Sequence, residues 1–161
     1  MKLENFLTES ECKYIIDFTK KYDSIKSYGV SKLEFLHIKD YSNFKFLEKK
    51  LNTIGIINKP VFNINKYEKG FFFLPHADRG GVNDPSRLRL KTIIINLSKN
   101  NTFSGGDSYI NRKRASGNQG DAFVFYSSTI HEVKKVTEGI RYSIAIWATS
   151  NNISKETKSL I

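Results

Sequence analysis

The chain has 161 residues, with 26 Lys and Arg against 16 Asp and Glu, a formal charge of +10, 39% hydrophobic and 13% aromatic residues, and one cysteine. That length suits one domain with one core, and that aromatic content excludes a disordered tail. No apolar run approaches the ~20 residues of a membrane-spanning helix, so a membrane is not an expected partner.

Cys12 alone makes neither an internal disulfide nor a cysteine zinc site, and Glu4, Glu9 and Glu11 stand where an export signal would be basic and then apolar. The expected location is therefore a reducing cytoplasm. The basic surplus is mostly lysine spread along the chain, the pattern of a solvated surface, so the charge by itself does not point to nucleic acid as a partner.

In chain order, Thr8-Glu9-Ser10-Glu11 spells a capping box, with Leu7 and Cys12 placed as a hydrophobic staple. It predicts a helix to about residue 22 that buries Cys12, Ile15, Ile16 and Phe18. Residues 33–38 read as a strand, and Phe44, Leu47 and Leu51 predict a second helix over about 42–55. From Pro60 the period becomes two: 61–67, 71–73, 88–97, 108–110, 122–126, 131–136 and 140–149 are β-rich runs separated by Gly, Asn and Asp turns. No helical signal divides these runs, so parallel βαβ units are not expected. The economical architecture is one domain over 1–161: an antiparallel sandwich or open barrel at about 60–149, with helical support at about 1–57.

The chain has only three histidines. His76 and Asp78 stand two apart, which on a strand points both to one side, and His131 on a distant run can complete a face of three. Two imidazoles and a carboxylate suit non-haem Fe(II) with three open positions, and zinc is the competing ion. Ten residues after His131 comes Arg141, with Ser143 and Trp147 on its face of the run. A guanidinium pointing into a barrel calls for an anion, and its fork suits a carboxylate. His37 has no partner at a useful spacing and reads as a surface or packing histidine; Gly105-Gly106 and Gly120-Asp121 read as turns.

The segments NKYEKGFFFLPHAD, RLKTIIINLS, SGGDSYI and GDAFVFYSSTIHEVKKVTEGIRYSIAIW, taken in order, resemble the Fe(II)/2-oxoglutarate-dependent dioxygenases of the prolyl 4-hydroxylase type. The shared pattern is His-x-Asp, a Gly-Gly-acidic turn, Gly-Asp before a β-run, then His followed ten residues later by Arg or Lys, and finally Trp. LENFLTESECKYII resembles the helix that opens such domains, so the likeness runs from Leu3 to Trp147.

This resemblance implies a mainly β fold, the double-stranded β-helix or jelly-roll (cupin-like) barrel with supporting N-terminal helices. It implies His76, Asp78 and His131 as iron ligands, and Fe(II), 2-oxoglutarate and O2 as cofactor and co-substrates. Arg141 would receive the distal carboxylate of 2-oxoglutarate, with Tyr67, Ser143, Thr92 and Asn96 on the same wall. Asn96 stands where animal oxygen-sensing prolyl hydroxylases have a second co-substrate tyrosine. Arg79, Arg89 and Trp147 would meet the substrate, and residues 79–87 have the composition of a mobile loop over the mouth. The implied activity is hydroxylation of a C–H bond, first of all of prolyl residues in a peptide or protein. The alternatives are a hydroxylase of a free amino acid or other small molecule, and a barrel that binds a ligand without catalysis.

Overall fold

Residues 1–158 are described by the computed structural model. Strand β1 (Lys2–Leu3) precedes α1 (Glu9–Thr19), then come β2 (Ile25–Ser27), β3 (Ser31–Ile38) and α2 (Lys45–Thr53). The barrel strands follow as β4 (Phe62–Tyr67), β5 (Phe72–His76), β6 (Arg89–Asn96), β7 (Phe103–Gly105), β8 (Ser108–Ile110) and β9 (Lys113–Arg114). The series ends with β10 (Ala122–Tyr126), β11 (His131–Val133), β12 (Val136–Gly139) and β13 (Arg141–Thr149). No helix among the described residues is long and apolar enough to cross a membrane.

The capping box of α1 forms as its residues require. The Glu11 amide donates to Thr8 Oγ1 at 3.1 Å, and the Thr8 amide donates to the Glu11 carboxylate at 2.8 Å. Leu7 and Cys12, the two ends of the staple, are both buried. The helix stops at Thr19, short of residue 22, because its last turn tightens: the amides of Lys20, Lys21 and Tyr22 each reach back only three residues. Cys12 and Ile15 are buried, while Ile16 and Phe18 are covered in part.

The second helix begins at Lys45, later than expected. Residues before it are held in a turn, with the Ser42 amide on Asp40 Oδ1 at 2.8 Å and the Phe44 amide on the Tyr41 carbonyl at 2.8 Å. Both helices pack on one side of the sheet, where Leu47, Leu51, Phe62, Ile64, Ile93, Ile95, Ile144 and Ile146 close the main core. These are alternate residues of β4, β6 and β13, so the residues between them face the other way.

Every strand pairing among the described residues is antiparallel. The large sheet runs in the order β1-β10-β6-β13-β4-β3-β5-β11-β8-β9, with β2 beside β3 and a separate β12-β7 pair. Strand β3 turns the corner: Glu34 to Ile38 pair with β4, whereas Ser31 and Lys32 pair with β5. The sheet therefore curls into a half-barrel, mainly β and antiparallel, and a smaller cluster of Leu33, Tyr67, Val133 and Val136 sits inside the curl.

Four short strands, β1, β2, β7 and β9, were not legible as β-runs, and the run 131–136 divides into β11 and β12. The division has a cause: the Lys134 amide donates to the Asp107 carbonyl and the Lys135 carbonyl accepts from Gly106, so the chain changes partner from β8 to β7.

Candidate active site

His76 ends β5 and His131 begins β11, and the two stand directly opposite each other in register. Asp78 follows His76 by one turn, fixed there by its own amide and that of Arg79, which both donate to the Ser127 carbonyl at 2.9 and 3.0 Å. As a result His76 Nε2 lies 3.5 Å from Asp78 Oδ1 and His131 Nε2 lies 3.3 Å from Asp78 Oδ2. One ligand atom from each of the three residues can be chosen so that all lie within 4.8 Å of one another. Neighbouring donors of an octahedral ion with bonds of about 2.1 Å stand about 3 Å apart, so this set fits an ion with little movement.

The outer contacts orient the donors. His76 Nδ1 lies 2.8 Å from the Leu74 carbonyl and His131 Nδ1 lies 3.0 Å from the Thr129 carbonyl. A carbonyl only accepts, so each Nδ1 carries a proton and each Nε2 faces Asp78, donating to the carboxylate while protonated and free to bind an ion once that proton is lost. The His76 ring stacks on Phe73 with centroids 3.6 Å apart, and Phe125 meets the His131 ring edge-on at 4.9 Å. Thr92 Oγ1 donates to Asp78 Oδ2 at 2.8 Å and takes a hydrogen bond from Ser127 Oγ at 3.0 Å.

Burial pushes the Asp78 carboxyl pKa up, but hydrogen bonds from His131 and His76 outweigh it and hold the group well below the usual carboxylate range. Burial likewise pushes His131 down, and the Asp78 carboxylate more than reverses this, leaving its pKa raised. Both shifts mark a site built around a carboxylate kept charged in a desolvated place.

A cavity of about 330 Å³ opens beside this set, between the two walls of the half-barrel. At its deep end lies Arg141, only 4% exposed. Its Nη2 donates to Ser108 Oγ at 2.8 Å, its Nη1 lies 3.5 Å from Ser143 Oγ, and its Cζ sits 5.4 Å from the centre of the Tyr67 ring. No carboxylate among the described residues comes within ion-pair distance of it, since Asp107 is taken by Arg114 at 2.9 Å. Burial pushes the guanidinium pKa down, which is the cost of holding an unpaired cation inside. Tyr67 is buried beside it, with its phenol pKa pushed up to about 12 by burial against the opposing pull of Arg141, so the hydroxyl keeps its proton.

At the other end of β13, Trp147 also lines the cavity, with Arg89 stacked on it at 4.1 Å. Its Nε1 is buried and has no hydrogen-bond partner among the described residues. Of the other residues singled out from the sequence, Ser143 lines the cavity beside Arg141. Thr92 backs Asp78, Asn96 lines a neighbouring polar cavity behind Arg141, and Arg79 is exposed outside the lining. His37 is exposed and hydrogen-bonded through Nδ1 to Asn63 at 2.6 Å.

The segment 79–87, read from composition as a mobile loop, is tied together: Asp84 Oδ1 accepts from the Ser86 amide and hydroxyl, and Ser86 Oγ accepts from the Gly80 amide.

Sequence reasoning missed Ser108, Ser127, Asn63 and Asn65. For Ser108 a signal existed in the Gly-Gly turn just before it. Gly106 has φ of +67°, and a Cβ there would stand 2.9 Å from the Val136 side chain and 3.0 Å from Arg141 Cδ. The turn that looked purely conformational thus gives the Arg141 side chain its room.

The family model described as 2OG-Fe(II) oxygenase superfamily matches residues 62–149. A PKHD-type hydroxylase of Burkholderia ambifaria is 30% identical over 111 residues, covering 63% of this chain and 47% of that one. The chain spans about half the length of the curated relatives it matches. Among solved structures, a prolyl-4-hydroxylase of Pseudomonas putida superposes with a TM-score of 0.73 at 16% identity, covering 92% of this chain and 91% of that one. A prolyl hydroxylase of Trichoplax adhaerens, in complex with a peptide from the hypoxia inducible factor oxygen degradation domain, gives 0.71 at 16% identity, covering 99% and 86%. Both likenesses concern the fold, and they match the curled antiparallel half-barrel.

Proposed function

The chain belongs to the 2OG-Fe(II) oxygenase superfamily, and from that premise we propose that it hydroxylates a C–H bond, most readily that of a prolyl residue in a peptide or protein. The observation that carries this reading is the pairing of two features in one cavity. His76, Asp78 and His131 offer three donors to one ion, and a buried Arg141 awaits a carboxylate deeper in.

In this reading the three ligands hold Fe(II), which together with 2-oxoglutarate and O2 supplies the oxidising power for the C–H bond. The chain's own part is placement. Thr92 and Ser127 keep the Asp78 carboxylate turned toward the histidines, and the carbonyls of Leu74 and Thr129 keep each imidazole in the tautomer that binds. Arg141 takes the distal carboxylate of 2-oxoglutarate with its fork, and the Tyr67 hydroxyl adds a neutral donor nearby. Phe73, Phe125 and Val133 exclude water from one side of the ligands, which strengthens the polar contacts inside.

For the substrate, the mouth end of the cavity supplies the argument. Arg89, stacked on the Trp147 ring in the cavity lining, is a donor, and a peptide carbonyl is an acceptor that satisfies it while the target side chain enters. Exposed Val30, Leu74, Val82 and Leu88 on the surrounding segments favour a partner with apolar residues beside its target. The peptide-bound Trichoplax relative adds weight to the same side.

The test is succinate release by the Fe(II)-loaded protein with 2-oxoglutarate, comparing a proline-containing peptide library with a panel of free amino acids. Turnover coupled to peptides is the expected result. Turnover coupled only to free amino acids overturns the peptide reading, and no 2-oxoglutarate consumption under any condition overturns the oxygenase reading.

A further inference from the structure

Lysine is spread through the chain, but arginine is not: the six arginines all fall between residues 79 and 141. Arg79, Arg87 and Arg89 stand on the segment that follows Asp78, Arg112 and Arg114 on the β8–β9 hairpin, and Arg141 in the pocket. Solubility needs positive charge of either kind anywhere on the surface, and 20 lysines supply it. It does not explain why the cation whose planar fork fits a carboxylate is gathered in one part of the fold.

Register carries two of these groups to one rim. His76 at the end of β5, His131 at the start of β11 and Ile110 at the end of β8 lie side by side. The turns that leave or enter the three strands there, residues 77–88, 127–130 and 111–112, border the metal end of the cavity together, and the Asn111 amide donates to the Ile130 carbonyl at 2.8 Å. Arg79, Arg87 and Arg112 are exposed on these segments, as is Lys113 at the start of β9. None of the four has a carboxylate within ion-pair distance among the described residues. Of the carboxylates on the same segments, Asp78 belongs to the metal set, and Asp84 already accepts from the Ser86 amide and hydroxyl. The rim keeps a surplus of positive charge.

Its width and its apolar residues identify the kind of partner. Strands β5 and β8 flank β11, so the segments of Arg79 and Arg112 start about 10 Å apart, the length of about three residues of extended peptide. One small carboxylate does not meet both; an extended chain does, with acidic side chains on either side of the residue that enters. Leu74, Val82, Leu88 and Ile130 are exposed among these cations, and a phosphate backbone offers them nothing to bury. Trp147 already carries Arg89 on its ring face, so it is no platform for a stacked base.

We infer that the rim selects an acidic substrate: Arg79, Arg87 and Arg112, with Lys113 beside them, receive Asp or Glu side chains within about three residues of the target on either side. This rests on the peptide reading above.

The experiment is fluorescence anisotropy of labelled peptides on the protein loaded with Mn(II) and 2-oxoglutarate. The peptides share a central proline and differ in their flanks: Asp and Glu in one set, Asn and Gln in a second, Lys in a third. A single-stranded oligonucleotide is the fourth probe. An exposed ion pair is worth about 1.5- to 5-fold in affinity, so several together are expected to make the acidic set bind about 10- to 100-fold more tightly than the amide set at about 0.05 M salt. At about 0.5 M salt the ratio is expected to shrink several-fold, because charges on an open rim are screened. Reversing three rim cations together (Arg79→Glu, Arg87→Glu, Arg112→Glu) is expected to remove the preference. The same change of charge at exposed lysines on the helical side (Lys21→Glu, Lys45→Glu, Lys49→Glu) is expected to leave it within about twofold.

Equal affinity for acidic and amide peptides overturns the inference and leaves the peptide reading intact. Equal loss of the preference in the two triple variants also overturns it, because the net charge of the whole chain would then be the source. An oligonucleotide bound more tightly than every peptide overturns it in favour of nucleic acid. Failure to bind any peptide overturns this inference and the peptide reading together. The peptide and salt series use the parent protein, so they decide the matter even where a reversed variant does not fold.

Discussion

Replacing Arg141 by Met removes a charge while keeping an unbranched side chain of similar reach, so it separates the anion-binding role from packing. In the ligand-free protein the guanidinium is 4% exposed, bonded only to hydroxyls, and without a carboxylate in range among the described residues. Buried charges held this way are often matched or exceeded in stability by an apolar replacement, by about 1–4 kcal/mol, less about 1 kcal/mol here for the Ser108 hydroxyl left without its donor. The expected ligand-free stability of Arg141→Met is therefore equal to the parent's or up to about 3 kcal/mol higher.

With co-substrate the order reverses. At a concentration about 100-fold above Kd, 2-oxoglutarate adds about 2.7 kcal/mol to the parent, a rise in Tm of about 5–10 °C for a domain of this size. Losing one partner of a desolvated charge pair costs about 2–5 kcal/mol of binding, roughly 30- to several-thousand-fold, so the variant's Tm should rise by no more than about 3.5 °C when the same ligand is added. Scanning calorimetry of the Mn(II)-loaded proteins with and without 2-oxoglutarate reads both effects. A variant that gains as much Tm from the ligand as the parent does would refute the reasoning, because the anion would then be bound elsewhere.

At the metal, Ala at His76, Asp78 or His131 is expected to abolish stoichiometric Mn(II) binding by calorimetry, and Thr92→Val, which strips a hydrogen bond from Asp78, to weaken it about 10- to 100-fold; unchanged affinity in Thr92→Val would mean the Asp78 orientation is held by the backbone alone. A third expectation concerns pH. Burial pushes the Asp121 carboxyl up, but the amides of Asn118 and Asn5 and the ammonium of Lys2 more than compensate, so its pKa is lowered. A carboxylate with a lowered folded pKa contributes stability that is present above its ordinary pKa near 4 and is lost as pH falls through the folded value. Asp121→Asn should then be about 1–2 kcal/mol less stable than the parent in urea at pH 7, with the gap closing below about pH 4; a gap independent of pH would place the loss in packing.

How much of this was legible in the sequence depended on whether the signal was local. The capping box and staple of α1 needed only residues 7–12 and formed as written. The longer β-runs carried their own alternation, and β4, β6, β10 and β13 appeared within about a residue of their expected bounds. The short strands had no such signal. Strand β1 exists because Lys2 and Leu3 pair with Phe123 and Ala122, more than a hundred residues away, while Asp121 grips the Asn5 amide. Strand β7 exists because β12 lies beside it. In these places pairing creates the strand, and two or three residues cannot announce a partner they have yet to meet.

The site divides along the same line. Charged or rare residues could be picked out because their presence in a barrel demands an explanation, and the structure brings His76, Asp78, His131 and Arg141 to one cavity. Neutral polar residues make no such demand: Asn in a sequence reads first as a turn former, and Ser108 reads as a small residue after two glycines. What turns them into parts of a binding wall is register. With Arg141 opposite Tyr67 and Ser143 opposite Asn65, the polar groups of β4 and β13 face the cavity while Ile64, Ile144 and Ile146 face the helices. A slip of one residue would bury the amides in the helix-facing core and turn the isoleucines toward the anion pocket. The apolar core that fixes the register therefore also fixes which donors the co-substrate meets, so stability and binding at β4 are two readings of a single alternation.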